Sequence, residues 1–118
     1  MQLESKKYLY DVQSAAALIR QFTSGKSLFD FESDAMLRSA VERQFEIIGE
    51  ALSQLAKSDL DTAAKISEYR RIIAFRNILI HGYANVDYRL VWGVVEGQLS
   101  VLIDEVQKLL RGEEHAKP

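Results

Sequence analysis

Between residues 34 and 57 the apolar side chains obey one repeat: Leu37, Val41, Phe45, Ile48, Leu52 and Leu55 recur every three or four residues, the period of an α-helix. A second set, Ala40, Ile47 and Ala51, widens this stripe. So broad a face calls for two packing partners, one of which can be a second subunit. Ser33 or Asp34 is placed to cap the first turn. Gly49 interrupts the run at a cost of ~1 kcal/mol relative to alanine, so a close approach by a neighbouring helix is expected there.

The same period recurs on either side. Leu9, Val12, Ala16, Ile19 and Phe22 mark a helix over about 4–24, ended at Ser24-Gly25-Lys26, where glycine accepts the left-handed conformation. Leu28-Phe29-Asp30-Phe31 reads as an apolar loop whose two phenylalanines plug an end of the core. The polar stretch 58–67 reads as a connection with a short helical turn, capped by Asp59 or Asp61. A further helix starts near Glu68, carries Tyr69, Ile72, Ile73, Phe75, Leu79 and Ile80 inward, and ends near His81 because Gly82 follows. After Ala84-Asn85-Val86, Asp87 caps a last helix with Tyr88, Val91, Trp92, Val95, Leu99, Leu102, Val106 and Leu109 at helical spacing, stopped by Gly112. The chain has a single proline and only scattered β-branched alternation. The expected architecture is therefore all-α, an antiparallel bundle of four to five helices forming one domain over 1–112, with 113–118 a disordered tail.

A chain of 118 residues, 47% of them hydrophobic, can fold around one core without staples. The absence of cysteine removes disulfides and thiolate metal sites and favours a reducing, cytoplasmic setting. No apolar run approaches the ~20 residues that a bilayer crossing needs, so the expectation is a soluble protein with no membrane partner. A net charge of -2 argues against coating nucleic acid by overall basicity. A local basic patch remains: Lys65, Arg70 and Arg71, leading to Arg76, are the candidate RNA-binding residues.

That patch runs into Arg76-Asn77-Ile78-Leu79-Ile80-His81-Gly82-Tyr83, where polar groups punctuate an apolar helix. Cleavage of RNA by its own 2′-hydroxyl needs a group to remove that proton, a group to protonate the leaving 5′-oxygen, and a cation for the phosphorus oxygens. Arg76 supplies the fixed cation and His81 an imidazole, a group suited to proton transfer near neutrality. Asn77 can orient the imidazole or hold a phosphate oxygen, and Tyr83 offers a hydroxyl. The chemistry calls for no metal and no cofactor. It does call for two proton-transfer groups, and the other histidine, His115, lies in the expected tail. A two-fold homodimer that brings two copies of the stretch together supplies both. Plainer roles stay open on spacing alone: His81 as a helix C-cap, Arg76 as an ion-pair partner of Glu46 or Glu50, and Tyr83 as packing.

These residues carry a family resemblance. The pattern Arg76-x4-His81-x-Tyr83, with Ala40-Val41-Glu42-Arg43, Glu46-Ile47-Ile48-Gly49-Glu50-Ala51 and Val86-Asp87-Tyr88-Arg89-Leu90-Val91-Trp92, resembles the HepT family of small helical proteins of the HEPN group, over roughly residues 8–110. The resemblance implies an HEPN-like bundle and a metal-independent ribonuclease toxin of a toxin-antitoxin pair, a homodimer whose cleft combines both motifs. It implies that Arg76 and His81 are catalytic with Asn77 in support. Its implied partner is an MntA-type minimal nucleotidyltransferase antitoxin, and Tyr83 is the implied acceptor of AMP. Tyr69 stands where many relatives have tryptophan, and Ala74 where glycine is frequent. Two readings of other classes remain beside it: a non-catalytic substrate-binding or regulatory subunit of a nucleotidyltransferase, and a structural helical adaptor.

Overall fold

The broad repeat forms the longest helix, and both of its faces are taken up within one chain. In the computed structural model, which describes residues 1–115, α1 spans Leu3–Thr23, α2 Leu28–Ser33, α3 Ala35–Ser58, α4 Leu60–Ala63, α5 Tyr69–His81, α6 Tyr88–Gly97 and α7 Leu99–His115, with a 3-10 turn over Tyr83–Asn85. There is no strand among the described residues. Helix α3 packs along α1 on one side and α5 on the other, while α1 also packs against α7. Within the chain, α5 supplies a second partner for the broad face.

The core follows the helical repeats. Leu9, Val12, Ala16 and Ile19 of α1, Val41, Ile48, Leu52 and Leu55 of α3, and Val91 and Val106 of the C-terminal helices are all fully buried. At ~25 cal/mol per Å² of apolar surface removed from water, such side chains supply most of the driving force for folding. Asp34 caps α3, its Oδ1 accepting from the amides of Met36 and Leu37 at 3.0 and 3.1 Å.

The sequence expectations need five corrections. Residues 28–33 form a helix, not a loop, because Ser27 and Asp30 make a reciprocal capping box. Only one phenylalanine of that segment plugs the core: Phe31 is fully buried against Tyr88 and Trp92, whereas Phe29 is exposed. The last helix is two helices, broken at Gln98 directly after Gly97, where two glycines four residues apart weaken the ladder. Gly112 does not stop α7, which continues to His115. Of the tail expected over 113–118, residues 116–118 lie outside the described residues. Finally, Ile80 faces outward and is not part of the core.

Helix α5 ends where expected, for a different reason. Gly82 has φ −109°, outside the left-handed region, and its amide donates to Ile78 O at 2.8 Å; a Cβ on Gly82 would lie only 3.0 Å from that oxygen. Close backbone approach, not handedness, selects glycine here. At the other end of α5 the left-handed residue is Glu68, at φ 62°, a conformation that is costly for a residue with a side chain. Ser67, just before it, is clamped to α7: its amide and hydroxyl donate to the two Glu105 carboxylate oxygens at 3.0 and 2.7 Å.

Candidate active site

Helix α5 sorts its residues by angle. At ~100° per residue, Phe75 and Leu79 point to the core, while Arg70, Ala74, Asn77 and His81 form one stripe on the opposite side. All four stripe residues are exposed, and Phe75 and Leu79 are buried. The His81 side chain makes no hydrogen bond to the described residues, so it does not cap the carbonyls at the end of its helix; the Gly82 amide closes that end instead. Tyr83, in the turn that follows, is 76% exposed, and its hydroxyl has no partner among the described residues.

Arg76 stands apart from this stripe. It lies on the edge of α5 that meets α3, its side chain 19% exposed, with Nη1 3.0 Å from Glu50 Oε2. Of the two acids offered by sequence, Glu50 is the partner, and Glu46 pairs with Arg43 instead. Arg76 Nε is shut off from solvent and has no hydrogen-bond partner among the described residues. An unpaired buried donor costs about 1–3 kcal/mol, which is unusual for a side chain whose role is only to hold two helices together. Gly49 makes the crossing possible: a Cβ there would sit 2.2 Å from Arg76 Cβ.

The basic patch divides. Arg71 is paired with Glu68 at 3.0 Å, and Arg70 lies over the Tyr69 ring with Nε donating to its hydroxyl at 3.1 Å. Arg70 shares the stripe of Asn77 and His81, whereas Arg71 turns toward α6; Lys65 is exposed in the turn before α5. Along α3, burial pushes the Glu42 carboxyl up, and the Arg38 guanidinium partly offsets this. Among the described residues no group of three histidine, cysteine, aspartate or glutamate side chains is placed to hold a metal ion.

Two concavities flank α5. A largely apolar groove of about 550 Å³ separates α5 from α6 and is lined by Ile72, Phe75, Ile78, Leu90 and Val94. A smaller one of about 320 Å³, on the α1 and α3 side, has Arg43, Glu46, Glu50 and Ile80 in its wall. Neither is lined by Arg76, Asn77, His81 or Tyr83. In one chain these side chains share a helix end without enclosing a cleft.

Residues 12–109 match the model of the family described as "Ribonuclease HepT-like". The chain belongs to the HepT-like ribonuclease family. Among its HepT-like relatives, the "Probable ribonuclease HepT" of Thermococcus cleftensis is 35% identical, covering 92% of this chain and 98% of that one. A protein of Methanocaldococcus jannaschii named "Putative RNase MJ1380" is 34% identical over 86% of this chain and 93% of its own length. The "Putative RNase TTE0752" of Caldanaerobacter subterraneus is 31% identical over 92% and 96%. No solved structure matches. The all-α bundle is the fold expected of a HepT-like chain. Among the described residues no helix is long and apolar enough to cross a membrane.

Sequence reasoning ended this helix near His81 with Tyr83 just beyond it, and the structure has His81 as the last residue of α5 and Tyr83 in the turn that follows. It treated Glu50 as one of two ordinary ion-pair candidates and Gly49 as a packing glycine, without joining either to the motif. The signal was available in their adjacency, since the glycine that admits a helix and the acid that meets its cation are neighbours in sequence.

Proposed function

We propose that this chain is a metal-independent endoribonuclease toxin that acts as a homodimer and is held in check by an MntA-type nucleotidyltransferase antitoxin. The observation that carries the proposal is the exposed stripe of Asn77 and His81 at the end of α5, with Arg76 one edge away, in a chain of a ribonuclease family. Substrate phosphate would sit against the Arg76 guanidinium and Asn77. One His81 takes the proton of the 2′-hydroxyl as its oxygen bonds to phosphorus. The second copy's protonated imidazole gives a proton to O5′ as the P–O5′ bond breaks, leaving a 2′,3′-cyclic phosphate and a 5′-hydroxyl. Arg76 offsets the charge that gathers on the phosphorus oxygens between these events. Arg70, on the same stripe about two turns earlier, and Lys65 and Arg71 nearby would bind flanking phosphates.

Two features support the dimer. The motif in one chain lines neither groove, so a cleft there needs a second wall. The α5–α6 groove, with Ile78 47% and Leu90 50% exposed, offers apolar surface one turn from His81. The exposure of Tyr83 supports its role as AMP acceptor: an added nucleotide phosphate two residues from His81 would repel and obstruct RNA.

The test is incubation of the purified protein with total cellular RNA in EDTA. The parent is expected to leave cyclic-phosphate ends, and His81→Ala to cleave slower by about 10²–10⁴-fold, the range for loss of a general acid–base group. Pretreatment with the nucleotidyltransferase and ATP should add one AMP to Tyr83 and stop cleavage. Equal rates for parent and His81→Ala would remove His81 from the mechanism. Nucleotide binding with no RNA turnover would instead establish a regulatory subunit of a nucleotidyltransferase.

A further inference from the structure

Gly49 and Glu50, consecutive on α3, grip Arg76 at two points. A Cβ on residue 49 would lie 2.2 Å from Arg76 Cβ and 2.7 Å from its Cγ, and these atoms sit too near the backbone to swing aside. The stem of Arg76 is therefore fixed against the α3 backbone. At the far end of the side chain, Nη1 meets Glu50 Oε2 at 3.0 Å. Nε faces the protein with no partner among the described residues, so the capacity to engage a ligand rests with the outer nitrogens of the fork.

This is a poor design for a structural ion pair. Glu50 is 55% exposed, and a pair with so accessible a carboxylate contributes little to stability. A bidentate contact would use the guanidinium fully, but the grip is single, with Nε left without a partner among the described residues. What the arrangement does achieve is restriction. With the stem fixed and one terminal nitrogen tethered, the guanidinium plane has little freedom, and its free edge keeps one direction.

We infer that Glu50 is a positioning residue that orients the Arg76 guanidinium toward the scissile phosphate, with Gly49 providing the room for the Arg76 stem. The inference rests on the ribonuclease reading of Arg76. Orientation matters because a cation that must find its angle during the reaction gives up part of its advantage over water. The Glu50 charge also faces the approaching phosphates, so it should weaken RNA binding while improving turnover. A residue with a purely structural role would not have this split effect.

The experiment compares the parent with Glu50→Ala and Glu50→Gln by three readouts: kcat and KM for a short RNA, the thermal midpoint, and rotation about the Arg76 Nε–Cζ bond followed by ¹⁵N NMR. Both variants should melt close to the parent, because the side chain is half exposed. Glu50→Ala should lower kcat by about tenfold. Glu50→Gln, which keeps an oxygen to accept from Nη1, should retain most of it, and KM should fall in both. The NMR signal should show freer rotation in Glu50→Ala than in the parent. An unchanged kcat in Glu50→Ala, or an equal loss in Glu50→Gln, overturns the inference. If the parent itself fails to cleave RNA, the ribonuclease reading falls, and the rotation data then decide alone: faster rotation in Glu50→Ala supports positioning by Glu50, and unchanged rotation overturns it.

Discussion

One carboxylate, Asp59, ties α4 to α1. It begins α4 as its N-cap, accepting from the Thr62 amide at 3.3 Å and the Thr62 hydroxyl at 2.7 Å, and its Oδ2 also accepts from the Ser5 hydroxyl of α1 at 2.7 Å. Ser5 is fully buried, so this bond cannot be exchanged for one to water. The hydroxyls of Thr62 and Ser5 hold the Asp59 carboxyl below the usual carboxylate range. Because its folded value is depressed, the native state binds fewer protons than the unfolded chain in that window. The stabilisation is therefore present above the ordinary aspartate value of about 3.9 and is lost as pH falls through the lower folded value. Asp59→Ala should cost about 1–3 kcal/mol at pH 7, from the lost cap and the stranded Ser5 hydroxyl. The difference from the parent should shrink below about pH 4, as the parent's own carboxylate protonates. Urea denaturation at pH 7 and pH 3 checks both, and an equal gap at the two values would mean that the ionised carboxylate plays no part. Asp59 was legible in the sequence as one of two cap candidates, beside Asp61, and the structure selects it. Its bond to Ser5 was not, because the two are 54 residues apart and a serine in a polar N-terminal segment carries no mark of burial.

Between elements, the spacing of α3 and α5 sets where Arg76 lies, and Gly49 sets that spacing. The sequence flagged Gly49 because a mid-helix glycine is costly; what it could not give was the identity of the neighbour, since that depends on the rotation of α5 about its own axis. Two effects oppose each other in Gly49→Ala. Alanine favours the helix by ~1 kcal/mol, which would dominate if the neighbour could yield. Overpacking a close crossing costs about 1–3 kcal/mol, and it should dominate here because the colliding atom is a Cβ, not the tip of a flexible chain. The expected result is a net loss of stability on chemical denaturation, so a stabilised variant would show that α5 gives way without cost. The elements that sequence reasoning misdrew share a cause. Helix α2 depends on a local capping box between Ser27 and Asp30 that apolar spacing does not register. The α6–α7 break keeps the apolar repeat in phase across Gln98, so periodicity alone reads straight through it.

For the molecule as a whole, four long apolar stripes were enough to specify the bundle, because each could be satisfied only by another helix. The assignment of partners was harder. The broad face of α3 suggested a dimer surface; α1 and α5 of the same chain pack on it, and an apolar surface left open lies between α5 and α6. That groove is where pairing of two chains should occur if the proposed composite cleft forms, since Ile78 in its wall is one turn before His81 on α5. A stable pair needs about 800 Å² from each partner, so the groove would be the centre of a larger contact that includes the exposed end of α5. The decisive variant is Ile78→Asp. Ile78 is 47% exposed, so the charge should leave the isolated chain folded with nearly the parent's helical content and melting behaviour, while a buried aspartate facing its own copy would oppose pairing. Sedimentation at micromolar concentration is expected to give twice the chain mass for the parent and the single-chain mass for Ile78→Asp, with RNA cleavage lost in parallel although Arg76 and His81 are untouched. A parent that cleaves RNA as a monomer would sink the composite cleft and require a second proton-transfer group from within one chain. A variant that stays dimeric and active would place the pairing surface elsewhere on the bundle.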